Sequence, residues 1–286
     1  MSGVAGGGRW RALRRSVFLR RPIVAVGVVL VAFIVFSGLF ADWVAPHDPA
    51  AFNVRARLSP PSATYILGTD HMGRDVFSRV LHGARVSLVV AALVVLLSAS
   101  IGLVLGLAAG YSSALDQIVM RIVDALLAFP PVLLAIALMA ALGPSLTNVV
   151  VALGIVYGPR MARLVRGSIL QIRELEYVQA ANALGARTIR VLGLHVLPNA
   201  ISPLIVQATF TFAQAVLAEA SLTFLGAGLP PEFASWGIML NEARVHLERA
   251  PWTAIPPGAA IAAFVLGLNL IGDGLRDFLD PRLKNL

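Results

Sequence analysis

The 286-residue chain has no cysteine and only one lysine, Lys284. Without cysteine there is no disulfide and no thiolate metal site. The single lysine excludes a Walker A loop, which needs Gly-x-x-x-x-Gly-Lys-Ser/Thr to bring an ammonium to the β- and γ-phosphates. Lys284 is followed by Asn285 and has no glycine-rich run before it. The chain is therefore not a P-loop ATPase by itself. Charge is scarce as well. Charged residues make up 13% and hydrophobic residues 58%, where a soluble domain carries roughly 25% charged. The deficit falls in blocks, the mark of a membrane protein. The net charge of +8 rests almost wholly on arginine. Those arginines are dispersed between apolar runs, which points to membrane topology and not to nucleic acid.

Long uncharged runs predict six spans. Residues 22–41 are uncharged and long enough to cross a ~30 Å hydrocarbon core at ~1.5 Å per helical residue. They exceed a signal-peptide core of roughly 7–15 residues, so the first span is read as uncleaved. Residues 42–85 form a polar loop. Its end, Leu67 to Arg79, reads as an amphipathic surface helix capped by Thr69 or Asp70, with Asp70–Arg74 and Asp75–Arg79 at i,i+4 spacing. A second span falls in 86–115, where Gly102, Gly106 and Gly110 form a ridge for close helix packing. The uncharged run 125–159 is too long for one helix and is split at Gly143-Pro144 into a third span, about 119–142, and a fourth, about 146–161. The fifth covers about 201–225 and the sixth 251–272, with a Gly/Pro-rich segment between them.

Arginine placement sets the orientation. With the N-terminus in the cytosol, that side holds 16 Arg and Lys and the outer side 7, so the chain is read as N-in, C-in. The core is read as 86–275, between a cytosolic basic arm at 1–21 and a cytosolic tail at 276–286. The linker between spans four and five then lies in the cytosol. It is roughly forty residues long and helix-forming, and loops of that length are uncommon unless functional. Glu174 and Glu176 suit a helix N-terminus before Tyr177 to Leu184. Ala180, Ala181 and Ala183 leave a surface on which a partner can close. Gly185 permits a turn. Thr188 starts a second short helix that Pro198 stops. The linker is read as a lever presented to something outside the bilayer.

This linker resembles the coupling loop of ABC-type importer permeases, whose pattern is Glu-Ala-Ala, three residues, Gly, nine residues, Ile-x-Leu-Pro. Gln179-Ala180-Ala181, Gly185 with Ala186 after it, and Leu197-Pro198 fall at that spacing, with Gln179 in place of Glu and His195 in place of Ile. Leu67-Gly68-Thr69-Asp70, Gly73-Arg74-Asp75, Phe224-Leu225-Gly226, Ser235-Trp236-Gly237 and the run Asn269 to Asp277 resemble the dipeptide/oligopeptide/nickel permeases, second permease type. The resemblance implies an all-α type I importer permease fold with six transmembrane helices. It implies a heterodimer with a homologous permease subunit in the lipid of the bacterial cytoplasmic membrane. Two ATPase domains, separate or fused, carry ATP and Mg, and an extracytoplasmic binding protein delivers substrate. No cofactor is expected on this chain. The cargo is a dipeptide or oligopeptide, with nickel or another metal chelate as the alternative.

Few residues carry chemistry inside the spans. Glu219 is the deepest acid, either lining the translocation path or bonded to Gln207, Gln214 or the partner permease. Asp124 lies near the start of span three. Asp70, Arg74 and Asp75 are extracytoplasmic structural or gating candidates. Asp273, Arg276 and Asp277 mark the cytosolic end of the last span, with Asp273 read as an anchor beside Arg276. His195 belongs to the loop and is not a metal ligand, since no second His is near. No catalytic or metal-binding set is expected: Asp124 and Asp273 do not make an intramembrane aspartyl pair, and Gly-x-Ser-x-Gly is absent. An ion-coupled secondary transporter is the distant alternative, but it would typically show repeats and interrupted helices at the midplane.

Overall fold

The computed structural model describes residues 22–279. The basic arm at 1–21 and the end of the tail, with Lys284, lie outside the described residues. Helices make up nearly all of the regular structure, and no strand is present among the described residues. In chain order they are α1 (Pro22–Leu39), α2 (Ala41–Val44), α3 (Val76–Tyr111), α4 (Ser113–Leu127), α5 (Pro131–Leu142), α6 (Leu146–Arg173), α7 (Glu176–Ala183), α8 (Thr188–Val191), α9 (Leu197–Phe224), α10 (Trp236–Ala243) and α11 (Ile255–Leu279). Among the described residues five helical runs are long and apolar enough to cross a membrane, and α4 with α5 make a sixth crossing if that bent pair is one span.

The most extensive helix pair is α3 against α6, and the glycine ridge explains it. A Cβ on Gly102 would lie 2.2 Å from the Met161 Cβ, one on Gly106 2.6 Å from the Val165 Cβ, and one on Gly110 2.8 Å from the Ile169 Cβ. Side chains of α6 thus sit directly on the backbone of α3, the contact that small residues permit in membranes. The main core lies where α3, α5, α6, α9, α10 and α11 meet, around Val90, Val94, Leu153, Leu222, Trp236 and Phe264.

Four expectations are corrected. The surface helix and the second span, divided at residues 85 and 86, are one helix, α3, of 36 residues. Residues 67–75 are not helical. They form a loop with Gly68 and Gly73 at positive φ (74° and 78°), and Asp75, not Thr69 or Asp70, caps α3. The third span is broken inside the run read as continuous, with α4 and α5 meeting at 95°. The cause is Pro130-Pro131: a proline supplies no N–H, and the residue before it is driven out of helical geometry, as Pro130 is at ψ 129°. The fourth span runs on to Arg173, through Pro159. Its charged second half is stabilised by ion pairs to α4, Arg163 with Asp124 and Arg166 with Asp116.

Candidate functional site

The linker between α6 and α9 folds as a compact unit on a small core of its own. Val178, Val191 and Val196 are buried against Val165, Ile169 and Ile172 of α6 and Ala200 of α9. The end of α7 follows from the residue spacing. Gly185 takes φ 77°, the left-handed region that costs a β-carbon-bearing residue energy. Its N–H donates to the Asn182 carbonyl at 2.9 Å, and that of Ala186 to the Ala181 carbonyl at 3.0 Å. That pairing is a Schellman cap. The sequence spacing of Ala181, Gly185 and Ala186 is therefore the spacing of one helix terminus.

Gln179, Ala180 and Gly185 are exposed, and Ala181 and Ala186 are half-buried. Among the described residues the Gln179 amide bonds only the Glu174 carbonyl, at 3.4 Å. Leu184, next to the glycine, is 88% exposed. Sequence reading passed over it. An apolar residue just before a capping glycine was the available signal. His195 lies edge-on to Tyr177, with ring centroids 5.6 Å apart. Asn199 ties the two by donating to the His195 carbonyl at 2.6 Å and the Tyr177 hydroxyl at 3.3 Å.

Pro198 does not stop the second short helix. It lies in the first turn of α9, joined to α8 by a π-helical turn at Leu192–Val196. The wider turn, closed by the Leu197 N–H on the Leu192 carbonyl, falls just before the position where proline has no N–H to give.

At the opposite end of the bundle a buried ion cluster joins the 67–75 loop, α3 and α10. One Asp70 carboxylate oxygen accepts from Arg74 Nε and Arg79 Nη1, both at 2.7 Å. Glu242 accepts from Arg74 Nη2 at 2.7 Å and lies 3.1 Å from Arg79 Nη2. Asp70, Arg74, Asp75 and Arg79 are all buried. Burial pulls the Arg74 pKa down, yet hydrogen bonds to Asp70 and Glu242 raise it overall above its ordinary value. Burial pushes the Glu242 carboxyl up, against the pull of Arg74. The expected Asp70–Arg74 pair is present. The expected Asp75–Arg79 pair is not, because Asp75 is used as the cap, accepting from the Ser78 N–H at 2.9 Å and hydroxyl at 2.6 Å. Glu242 was not singled out from sequence, since its partners are 163 and 168 residues away in the chain.

Glu219 is fully buried. Its carboxylate accepts from Ser87 at 3.1 Å, Thr223 at 3.0 Å and Ser235 at 3.1 Å, which ties α9 to α3 and to the start of α10. The anticipated partners are engaged elsewhere: Gln207 bonds Thr211 and Gln214 takes Arg160. Ser235 also caps α10, which gives Ser235-Trp236-Gly237 a structural meaning. Asp273 and Arg276 are exposed on the last turns of α11, with Asp277 half-buried beside them. Asp273 and Arg276 do not pair with each other; Arg276 instead edges an open groove of about 420 Å³ with Phe210 and Leu279.

Residues 102–285 match the family described as binding-protein-dependent transport system inner membrane component. Residues 8–61 match the N-terminal TM domain of oligopeptide transport permease C. The chain is 48% identical to a putative peptide transport system permease protein of Brucella suis, over 93% of this chain and 90% of that one. It is 46% identical to the di/tripeptide transport system permease protein DppC of Pseudomonas aeruginosa, over 91% and 88%. Among solved structures, an amino acid ABC transporter with histidines superposes with a TM-score of 0.52 at 17% identity, covering 73% of this chain and 95% of that one.

Proposed function

We propose, from the premise that the chain belongs to the binding-protein-dependent transport system inner membrane components, that it is the permease subunit of an ATP-driven importer of short peptides. Relatives named for peptide and di/tripeptide transport support the substrate class. The observation that carries the coupling role is the α6–α9 linker. It holds Leu184 and the Schellman-capped end of α7 out from the bundle while anchoring them on their own apolar core. A short rigid helix seated in a groove moves with the groove. Movement of an ATPase surface is thereby passed to α6 and α9, the helices to which the loop is fixed.

The chain itself contributes no phosphate-binding loop. ATP and Mg are assigned to two ATPase domains at the linker face, which is the cytosolic face of an N-in, C-in protein. A homologous permease completes the path, and a binding protein delivers peptide at the opposite face. ATP can shift such a transporter between its states only by as much as the ATPases bind those states differently.

The test uses the whole complex in proteoliposomes with its binding protein. Uptake of a dipeptide is expected to require ATP and to survive collapse of ion gradients; uptake that follows the ion gradient and ignores ATP would mean a secondary transporter. Gly185→Pro and Ala181→Trp are expected to leave the chain in the membrane, with ATP hydrolysis continuing and uptake lost. Normal uptake in both would remove the lever.

A further inference from the structure

Four arginines project from α6, and three of them are answered within the chain. Arg163 pairs with Asp124, Arg166 with Asp116, and Arg173 donates to the Gly110 carbonyl at 2.9 Å. Arg160 differs. Its only partner among the described residues is the neutral Gln214 amide, whose oxygen accepts from Nη1 at 3.0 Å, and its side chain is exposed.

The depth of that contact matters. Gln214 lies ten residues before Phe224, where α9 ends, and seventeen after Leu197, where it begins. At ~1.5 Å per residue that is about 15 Å from one end of the helix and about 25 Å from the other. Arg160 itself lies near the middle of α6. The head group therefore reaches across to mid-helix on α9 and does not snorkel to the linker end. The Tyr157 hydroxyl fixes the same level by donating to the Gln214 carbonyl at 3.3 Å. Pro159 supplies no N–H to the Ile155 carbonyl, which leaves that acceptor without its helical donor. Arg160 lies about 21 Å along α6 from Leu146, still within a ~30 Å hydrocarbon core, where charged residues face water-filled cavities or the bundle interior.

We propose that Arg160, steadied by Gln214, is a subsite for the terminal carboxylate of the peptide in transit, at the level where the uncharged half of α6 meets its charged half. The inference rests on the peptide-import reading. Gln214 takes only Nη1. The Nε/Nη2 edge is left, and that edge matches a carboxylate in bidentate geometry. Every unmodified short peptide carries this carboxylate whatever its side chains, so one guanidinium recognises the class without reading the sequence. An exposed site also releases its guest, as a route must.

The test is import by the whole transporter of dialanine and of its C-terminal amide, with the binding protein loaded to equal occupancy by each. Arg160→Gln is expected to lower dialanine import about tenfold, the scale of one charge-assisted hydrogen bond. Amide import is expected to stay near wild type, and Arg160→Lys, which keeps the charge without the planar fork, to recover only part of the dialanine rate. Co-purification with the partner subunits checks that both variants assemble. Because the chain has no cysteine, Arg160→Cys gives this subunit a unique thiol. A water-soluble methanethiosulfonate is expected to modify it, and saturating dialanine to slow that modification. Wild-type dialanine import in Arg160→Gln, equal loss of both peptides, or an inert thiol would each overturn the subsite while leaving ATP-driven import by the wild type intact. If the wild type imports no dialanine on ATP, the peptide reading falls and the subsite with it.

Discussion

The two ends of the bundle are built on opposite principles. At the linker end, three valines on a small apolar core hold a helix whose outer face is open, with Leu184 88% exposed. At the other end, Asp70, Arg74, Arg79 and Glu242 are drawn into a network of short charged contacts. Apolar contact is non-directional, so the linker is fixed to α6 and α9 chiefly by packing, and the three can move together without breaking a charged contact between them. A buried charge network is satisfied in one geometry and is costly when any member leaves it. The contrast assigns motion to one end and rigidity to the other.

The sharpest way to break the comparison is Arg79→Ala. It leaves Arg74 as the one guanidinium between the Asp70 and Glu242 carboxylates, and a loss of about 3 kcal/mol is expected, read as a fall in thermal midpoint of the detergent-solubilised complex. An unchanged midpoint would remove the claim that this end is locked. Val178→Ala tests the other end. Losing about two buried methyl groups costs roughly 1.5 kcal/mol, expected to appear as faster amide exchange confined to 176–196. Exchange that rises across α3 as well would show that the linker has no core of its own. Leu184→Asp is expected to change stability by less than about 0.5 kcal/mol, as exposed substitutions do, yet to weaken retention of the ATPase on purification. Full retention would show that the exposed tip is not the docking point.

The smallest effect concerns Asp42, whose carboxyl is held below the usual carboxylate range by hydrogen bonds from Arg85 and His82. A depressed folded pKa contributes stability above the unfolded value and loses it as pH falls through the folded one. Asp42→Asn is therefore expected to flatten the acid side of the stability profile slightly and to leave neutral pH almost unchanged. A large shift at neutral pH would mean that the exposed pair is structural.

Local patterns were readable before the fold was known. Gly102, Gly106 and Gly110 announced a close helix contact, and Gly185 a helix terminus, because each depends on residues within a few positions. The Pro130-Pro131 bend was equally local, and it was missed because hydrophobicity ran through it without interruption. Asp75 was misread for another reason: a carboxylate next to a helix start can pair forward with Arg79 or cap the turn, and spacing does not choose between them. The partners of Glu219 were out of reach, since Ser87 is 132 residues away along the chain and Ser235 belongs to another helix.

The linear order of residues decided, by itself, that this chain crosses a membrane, roughly where its apolar helices lie, and that its linker carries a short helix ended at Gly185. Those features follow from transfer free energy and backbone sterics, which act over a few residues at a time. Only the tertiary arrangement decided which charges are answered. It joined Glu242 to Arg74, buried Glu219 under three hydroxyls, and left Arg160 with a neutral partner at mid-helix. Electrostatic pairing depends on distance in space, and folding sets that distance.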